Sequence, residues 1–239
     1  MATVVLVRHG RSTANTAGVL AGRTPGVLLD EIGVAQAVDV GQRLSVLPLA
    51  AIVSSPLERC QQTAEAVAQA QKQPLDVAVD DRLTECGYGD WTGQELKGLA
   101  KKPLWRVVQG HPSAAVFPSG ESLRAMQARG IEAIRAWDAS VTEQHGPESV
   151  WVAVSHADVI KAILADALGT HLDNFQRIVV DPASVSVISY TELRPFVVRC
   201  NEHGDVAGLV PSPKRKRRKA SARSRSTSSD AVVGGGAGS

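Results

Sequence analysis

Two apolar runs in this chain end on histidine. Val4-Val5-Leu6-Val7 leads into Arg8-His9-Gly10, and Val150-Trp151-Val152-Ala153-Val154 leads into Ser155-His156. Short apolar runs of this kind read as buried strands, and α/β folds bind ligands in the crevice beyond the carboxyl ends of their parallel strands. Each histidine therefore belongs at the mouth of such a crevice, with Arg8 beside the first, and Gly10 lets the backbone turn there without a Cβ clash. Arg59, in the first turn of a helix predicted after Ser54-Ser55-Pro56-Leu57-Glu58, and Glu85, in Leu83-Thr84-Glu85, complete a set of two arginines, two histidines and a carboxylate. That set suits an oxyanion carrying a transferable group. The planar fork of arginine pairs with phosphate oxygens, and a neutral imidazole is a competent nucleophile at phosphorus. A second histidine can donate to the transferring group, and a carboxylic acid can protonate the leaving oxygen.

The elements that must position these residues follow from periodicity. Strand-like runs at 3–9, 50–55, 75–80 and 149–155 alternate with helix-like segments near 31–46, 56–71, 95–109, 120–144 and 157–168. This alternation predicts an α/β fold with a mostly parallel central sheet and helices on both faces. Ser55 as N-cap, Pro56 at the first helical position and Glu58 in the first turn mark a helix start. After residue 175 the pattern changes to Ile178-Val179-Val180, Val185-Ser186-Val187-Ile188 and Phe196-Val197-Val198, three closing strands with some antiparallel pairing.

With the residues and their order set out, the sequence resembles the histidine phosphatase, or phosphoglycerate mutase-like, superfamily over roughly residues 3–190. Arg8-His9-Gly10 with Ser12 and Asn15 resembles the opening motif of that family, with Ser in place of Thr. Gly22, Leu29, Gly33 and Gln36-Ala37 follow its next stretch. Ser54-Ser55-Pro56-Leu57 with Arg59, Thr63 and Ala64 resembles the second motif, Leu83 and Glu85 with Gly89, Trp91 and Gly93 the third, and Gly120-Glu121-Ser122 and Ser155-His156 complete the series. The resemblance implies a phosphoglycerate mutase-like fold and a phosphohistidine mechanism. In it His9 is the nucleophile, Arg8, Arg59 and His156 hold the phosphoryl oxygens, and Glu85 gives a proton to the leaving group. Asn15 is a further phosphate contact, and Ser155 and Arg11 are expected at the substrate. Arg11 stands where relatives often carry Glu or Gln, which reads either as a more cationic rim, suited to a second phosphate or carboxylate, or as a solvated loop arginine. Gly120-Glu121-Ser122 also reads as helix capping from Ser119 to Ser122.

Hydrolysis and phosphoglycerate mutation share these core residues. The segment between Glu85 and Gly120 separates them: mutases of this type resemble one another in a long insert that shelters phosphohistidine from water, whereas Lys97 to Pro118 here is short. The expected activity is therefore metal-independent hydrolysis of a small phosphorylated metabolite, with phosphomutase as the alternative. The short cap, around 94–118, would choose the substrate, with Lys101, Lys102, Arg106 and His111 as contacts or as plainly exposed side chains. No cofactor and no metal site are expected, since His111, His145, His171 and His203 are isolated in sequence.

Composition sets the remaining bounds. The 239 residues are 44% hydrophobic but only 4% aromatic, so the core must be built from Ala, Val, Leu and Ile. No window resembles a membrane span of about 20 apolar residues, and the chain enters its first strand at once, so a soluble cytoplasmic protein without membrane insertion is expected. Cys60, Cys86 and Cys200 form no C-x-x-C pair, in keeping with a reducing compartment. The net charge of +2 conceals two opposed regions: residues 214–225 hold eight of the 26 Lys and Arg, and the chain before residue 214 carries 18 basic and 23 acidic residues, a net of −5. A catalytic domain at 1–210 and a disordered basic tail at 211–239 are the expected division. For the tail a solvated segment that aids solubility or weak association is the expectation, with weak binding of Lys214-Arg215-Lys216-Arg217-Arg218-Lys219 to nucleic acid or an anionic surface as the other reading. A binding or regulatory protein working through that run is the reading from another class, and a homodimer is a further expectation.

Overall fold

The computed structural model describes residues 1–73 and 75–204. The expected domain boundary at 210/211 and the basic run at 214–219 lie outside the described residues. Among the described residues six strands form one sheet: β1 (Thr3–Arg8), β2 (Leu49–Ser54), β3 (Val77–Val79), β4 (Val150–Ser155), β5 (Val185–Tyr190) and β6 (Pro195–Glu202). Seven α-helices among the same residues accompany them: α1 (Thr13–Ala17), α2 (Glu31–Leu44), α3 (Glu58–Gln69), α4 (Leu96–Leu99), α5 (Pro103–Gly110), α6 (Leu123–His145) and α7 (Ala157–Ala167). The strand order is β3-β2-β4-β1-β5-β6. The first four are mutually parallel, and β5 and β6 add antiparallel pairings beyond β1. Among the described residues no helix is long and apolar enough to cross a membrane.

The alternation of side chains along each strand sends the apolar runs into two cores. Val4 and Leu6 of β1, with Trp151 and Ala153 of β4, pack with Ile134 of α6 and Val159, Ile160 and Ile163 of α7. Val5, Val7, Val152 and Val154 face the opposite way, onto Val40 and Leu44 of α2 and Cys60, Ala64 and Val67 of α3. Continuous apolar runs in β1 and β4 thus reflect burial on both faces. The helix starts are locally determined: Asp30 accepts from the Gly33 N–H at the head of α2, and Ser122 from the Ala125 N–H at the head of α6, each satisfying an otherwise unpaired donor.

Three expected elements differ. The helix read at 56 begins at Glu58, with Leu57 at the cap and no side-chain cap bond; Ser55 is not the cap, because its hydroxyl is bonded to His156. The single helix expected at 95–109 is two helices, broken where Lys102 takes an extended conformation before Pro103, as the restricted backbone preceding proline dictates. Ile178-Val179-Val180 is not a strand; the Val180 carbonyl instead accepts from Arg8 Nη1 at 2.9 Å.

Candidate active site

The register of the sheet creates the site. Arg8 lies opposite Ser155, and Ser54 opposite Val154, so β1, β2 and β4 all end at one edge. The residues immediately beyond are His9, Ser55 and His156. The His9 backbone N–H donates to the Ser155 carbonyl at 3.0 Å, which extends the ladder by one residue and fixes where the first imidazole starts. The rings of His9 and His156 meet edge to face at a centroid separation of 5.2 Å.

Hydrogen bonding sets the state of each ring. His9 Nδ1 is 2.7 Å from the Gly10 carbonyl oxygen; a carbonyl only accepts, so Nδ1 carries the proton and Nε2 presents its lone pair. Arg59 Nε donates to that Nε2 at 3.3 Å. Burial, reinforced by the guanidinium groups of Arg59 and Arg8, pushes the His9 pKa well below the usual imidazole value. His9 is therefore neutral at neutral pH. Arg59 Nη2 donates to His156 Nδ1 at 3.2 Å and to the Gly22 carbonyl at 2.9 Å. His156 Nε2 is left to donate to Ser55 Oγ at 2.8 Å, and burial followed by Arg59 drives its pKa well down too. Arg59 Nη1 is buried with no hydrogen-bond partner among the described residues, so one guanidinium donor is held in reserve among the two imidazoles.

Glu85 lies against this group, with Oε2 at 3.9 Å from His156 Nδ1 and Oε1 accepting from the Cys86 N–H at 2.9 Å. Burial and then the nearby Asp158 carboxylate raise its pKa to about 7, against the opposing pull of Arg59. A carboxyl near that value can give up a proton and take one back at physiological pH. Arg8, fully buried, has its pKa lowered to about 10 by desolvation and stays charged. Behind it, Tyr88 donates its hydroxyl hydrogen to Asp158 Oδ2 at 2.8 Å, and Lys161 Nζ lies 3.7 Å from Asp158 Oδ1. No group of three or more His, Cys, Asp or Glu among the described residues is arranged to hold a metal ion.

His9, Arg59, His156 and Glu85 are thus brought together, and Arg8, named for the same site, is buried beside His9. The three outer candidates sit differently. The Asn15 side-chain oxygen Oδ1 accepts from the Ser12 N–H and hydroxyl in a capping box at the head of α1. Arg11 is neither a free rim cation nor a solvated loop arginine: Nε donates to Asp30 Oδ2 at 2.7 Å, which neutralises it. Ser155 Oγ donates to the Leu83 carbonyl at 2.7 Å, inside the core, and anchors the loop that carries Glu85. In the cap, Lys102 bonds Gln94 Oε1 at 2.9 Å and lies 5.9 Å over the Trp91 ring, while Lys101, Arg106 and His111 are exposed.

Sequence reasoning passed over Ser55 as a partner of His156, although it follows a strand end just as the histidines do. It named Thr63 within a motif but gave it no role; its hydroxyl accepts from the Gly10 N–H at 3.1 Å and donates to the Arg59 carbonyl at 2.8 Å, tying the two arms of the site together. Gly10 proves necessary for close approach: a Cβ there would fall on the Gly33 carbonyl, and one on Gly33 would fall on the Arg11 carbonyl.

Comparison with known proteins identifies the family to which the chain belongs. A family model described as histidine phosphatase superfamily (branch 1) matches residues 4–203. Phosphoserine phosphatase 1 of Hydrogenobacter thermophilus is 33% identical over 207 residues, covering 84% of this chain and 92% of that protein. A probable phosphoglycerate mutase of Proteus mirabilis is 32% identical over 193 residues, covering 80% and 86%. Among solved structures, a mycobacterial glucosyl-3-phosphoglycerate phosphatase in complex with VO3 superposes with a TM-score of 0.76 at 28% identity, covering 84% of this chain and 99% of that one.

Proposed function

We infer that this chain, which belongs to the histidine phosphatase superfamily (branch 1), is a phosphomonoester hydrolase that acts on a small phosphorylated metabolite through a phosphohistidine intermediate. The observation that carries the reading is the state of His9: a neutral imidazole whose Nε2 lone pair faces the buried guanidinium of Arg59, with a protonatable Glu85 alongside. In the first step His9 Nε2 attacks phosphorus. The new P–N bond forms as the P–O bond to the alcohol breaks, and the Glu85 carboxyl proton passes to the departing oxygen. In the second step the Glu85 carboxylate takes a proton from water as that water attacks phosphorus, and the P–N bond breaks to restore His9. Arg8, Arg59 and His156 carry the charge of the phosphoryl oxygens throughout, the electrostatic part of the work in phosphoryl transfer.

Relatives named as phosphatases for phosphoserine and glucosyl-3-phosphoglycerate support a small-metabolite substrate. The relatives named as probable phosphoglycerate mutases keep a phosphomutase as the second reading. The short cap favours hydrolysis, because α4 and α5 are the only α-helices described between Glu85 and Gly120 and leave water little to cross. A single experiment addresses both: the purified protein, in the presence of EDTA, is given a panel of phosphomonoesters assayed for released phosphate and 3-phosphoglycerate assayed for isomerisation. Phosphate release without isomerisation is the expected result. Isomerisation without release would make the protein a mutase, and loss of turnover to EDTA that a divalent ion restores would overturn the mechanism.

The basic run Lys214–Lys219 is proposed as a separate anion-binding appendage to a catalytic body at 1–210. Deleting residues 212–239 should leave ester hydrolysis unchanged and abolish any salt-sensitive binding of nucleic acid; catalysis lost on truncation would refute the division.

A further inference from the structure

The loop that presents Glu85 is held by an ion network outside the cluster of histidines and arginines. Three backbone carbonyls of that loop converge on one guanidinium: Arg129 Nη1, from α6, donates to the carbonyls of Arg82 at 2.7 Å and Thr84 at 2.6 Å, and Nη2 donates to that of Glu85 at 3.0 Å. The same guanidinium is bound by Glu121, Nη2 to Oε1 at 2.6 Å and Nε to Oε2 at 3.2 Å. Glu121 Oε1 also accepts from the Gly87 N–H and from Arg23 Nη2, each at 2.8 Å, and Arg23 Nε returns to the Glu85 carbonyl at 2.8 Å. The Glu121 N–H donates to the Gly87 carbonyl at 2.8 Å, so the chain is fixed on both sides of Glu85. Arg129 and Glu121 are each only 18% exposed, which keeps the pair largely out of reach of solvent screening.

We propose that Arg129 is a positioning residue for proton donation by Glu85, with Glu121 and Arg23 completing the clamp. A salt bridge that served folding alone would have no reason to gather the carbonyls of Arg82, Thr84 and Glu85 around the acid. Glu85 has one side-chain bond of its own, from the Cys86 N–H, so the direction of its free oxygen follows from the backbone that Arg129 holds. The geometry of general acid catalysis tolerates little error: a displacement of about 1 Å costs on the order of 10²-fold.

The proposal rests on Glu85 being the acid, and its test separates the two ideas. Arg129→Lys, Glu121→Gln and Glu85→Gln are compared with the parent enzyme on an alkyl phosphate, whose leaving group needs a proton, and on p-nitrophenyl phosphate, whose leaving group does not. For Arg129→Lys, kcat on the alkyl ester should fall about 10²-fold with KM nearly unchanged, while p-nitrophenyl phosphate turnover stays within a few fold. The double variant Arg129→Lys/Glu85→Gln should lose no more on the alkyl ester than Glu85→Gln does alone. Equal loss on both substrates, or additive losses in the double variant, would make Arg129 a folding residue only and overturn the proposal. If Arg129→Lys fails to fold, Glu121→Gln carries the same two-substrate comparison with the same outcomes. Should Glu85→Gln itself slow both esters alike, Glu85 is not the acid, and that result removes the mechanism and the proposal together.

Discussion

At the level of single residues, opposite shifts divide the labour. His9 is held neutral by burial and by Arg59, whereas Glu85 is held protonated, with a pKa of about 7, by burial and by Asp158. On the proposed mechanism Glu85 loses its donatable proton as pH rises through about 7, so kcat on an alkyl ester should fall above that pH. His9, the proposed nucleophile, loses its lone pair only well below the usual imidazole pKa, so no acid limb from it should appear near pH 6.5. A kcat–pH profile of Glu85→Gln should lack the alkaline limb, and a profile unchanged from the parent would assign that limb elsewhere. His9→Ala should abolish turnover while the protein stays folded. The acid-labile, base-stable phosphoryl label that substrate leaves on the parent enzyme should vanish with it, and retained label would place the nucleophile on another residue.

At the level of elements, the ends of β1 and β4 and the start of α6 were readable because each depends on local chemistry. β1 and β4 announce themselves as apolar runs closing on histidine, and Ser122 as a cap. What the sequence could not yield is where a side chain spends its hydrogen bonds. Ser55 has the composition of a cap but faces His156 across the sheet edge, a partner 101 residues away. Arg11 has the appearance of a rim charge but is matched by Asp30, and the carbonyl that removes Val180 from a strand is drawn off by Arg8. Long-range pairing decided all three. The approach of the Arg11 and Gly33 backbones belongs to this scale as well. Gly33→Ala should cost roughly 1–3 kcal/mol, as overpacking does, and should raise KM or lower kcat by shifting the turn that carries His9. Denaturant unfolding and steady-state kinetics on the variant check both, and a variant as stable and as active as the parent would show that the turn can yield.

For the molecule as a whole, the buried histidines link stability to pH. Both have folded pKa values depressed below about 6.5, so their contribution is complete above that pH and is lost as pH falls, when the unfolded chain takes up two protons that the folded one refuses. Glu85 acts in the other sense: between about 4.5 and about 7 the folded state holds a proton that the unfolded state lacks. Two against one leaves stability falling with acidification from pH 6.5 to 5, by about 1.4 kcal/mol per unit at most. Urea midpoints at pH 7 and 5.5 should show the drop in the parent and a much flatter response in His156→Gln; equal drops would rule the linkage out. The strand order carries a consequence for biosynthesis. β1 and β2 do not pair with each other but each with β4, which is made roughly a hundred residues after β2. A nascent chain that has not yet released residue 155 from the ribosome has two halves of a sheet and no member to join them, and with its apolar edges open it is then most exposed to aggregation. Helper proteins that shield such edges would matter most in that interval, and slowing translation just before Val150 should lower the yield of folded enzyme, whereas a slowdown after α7 should not.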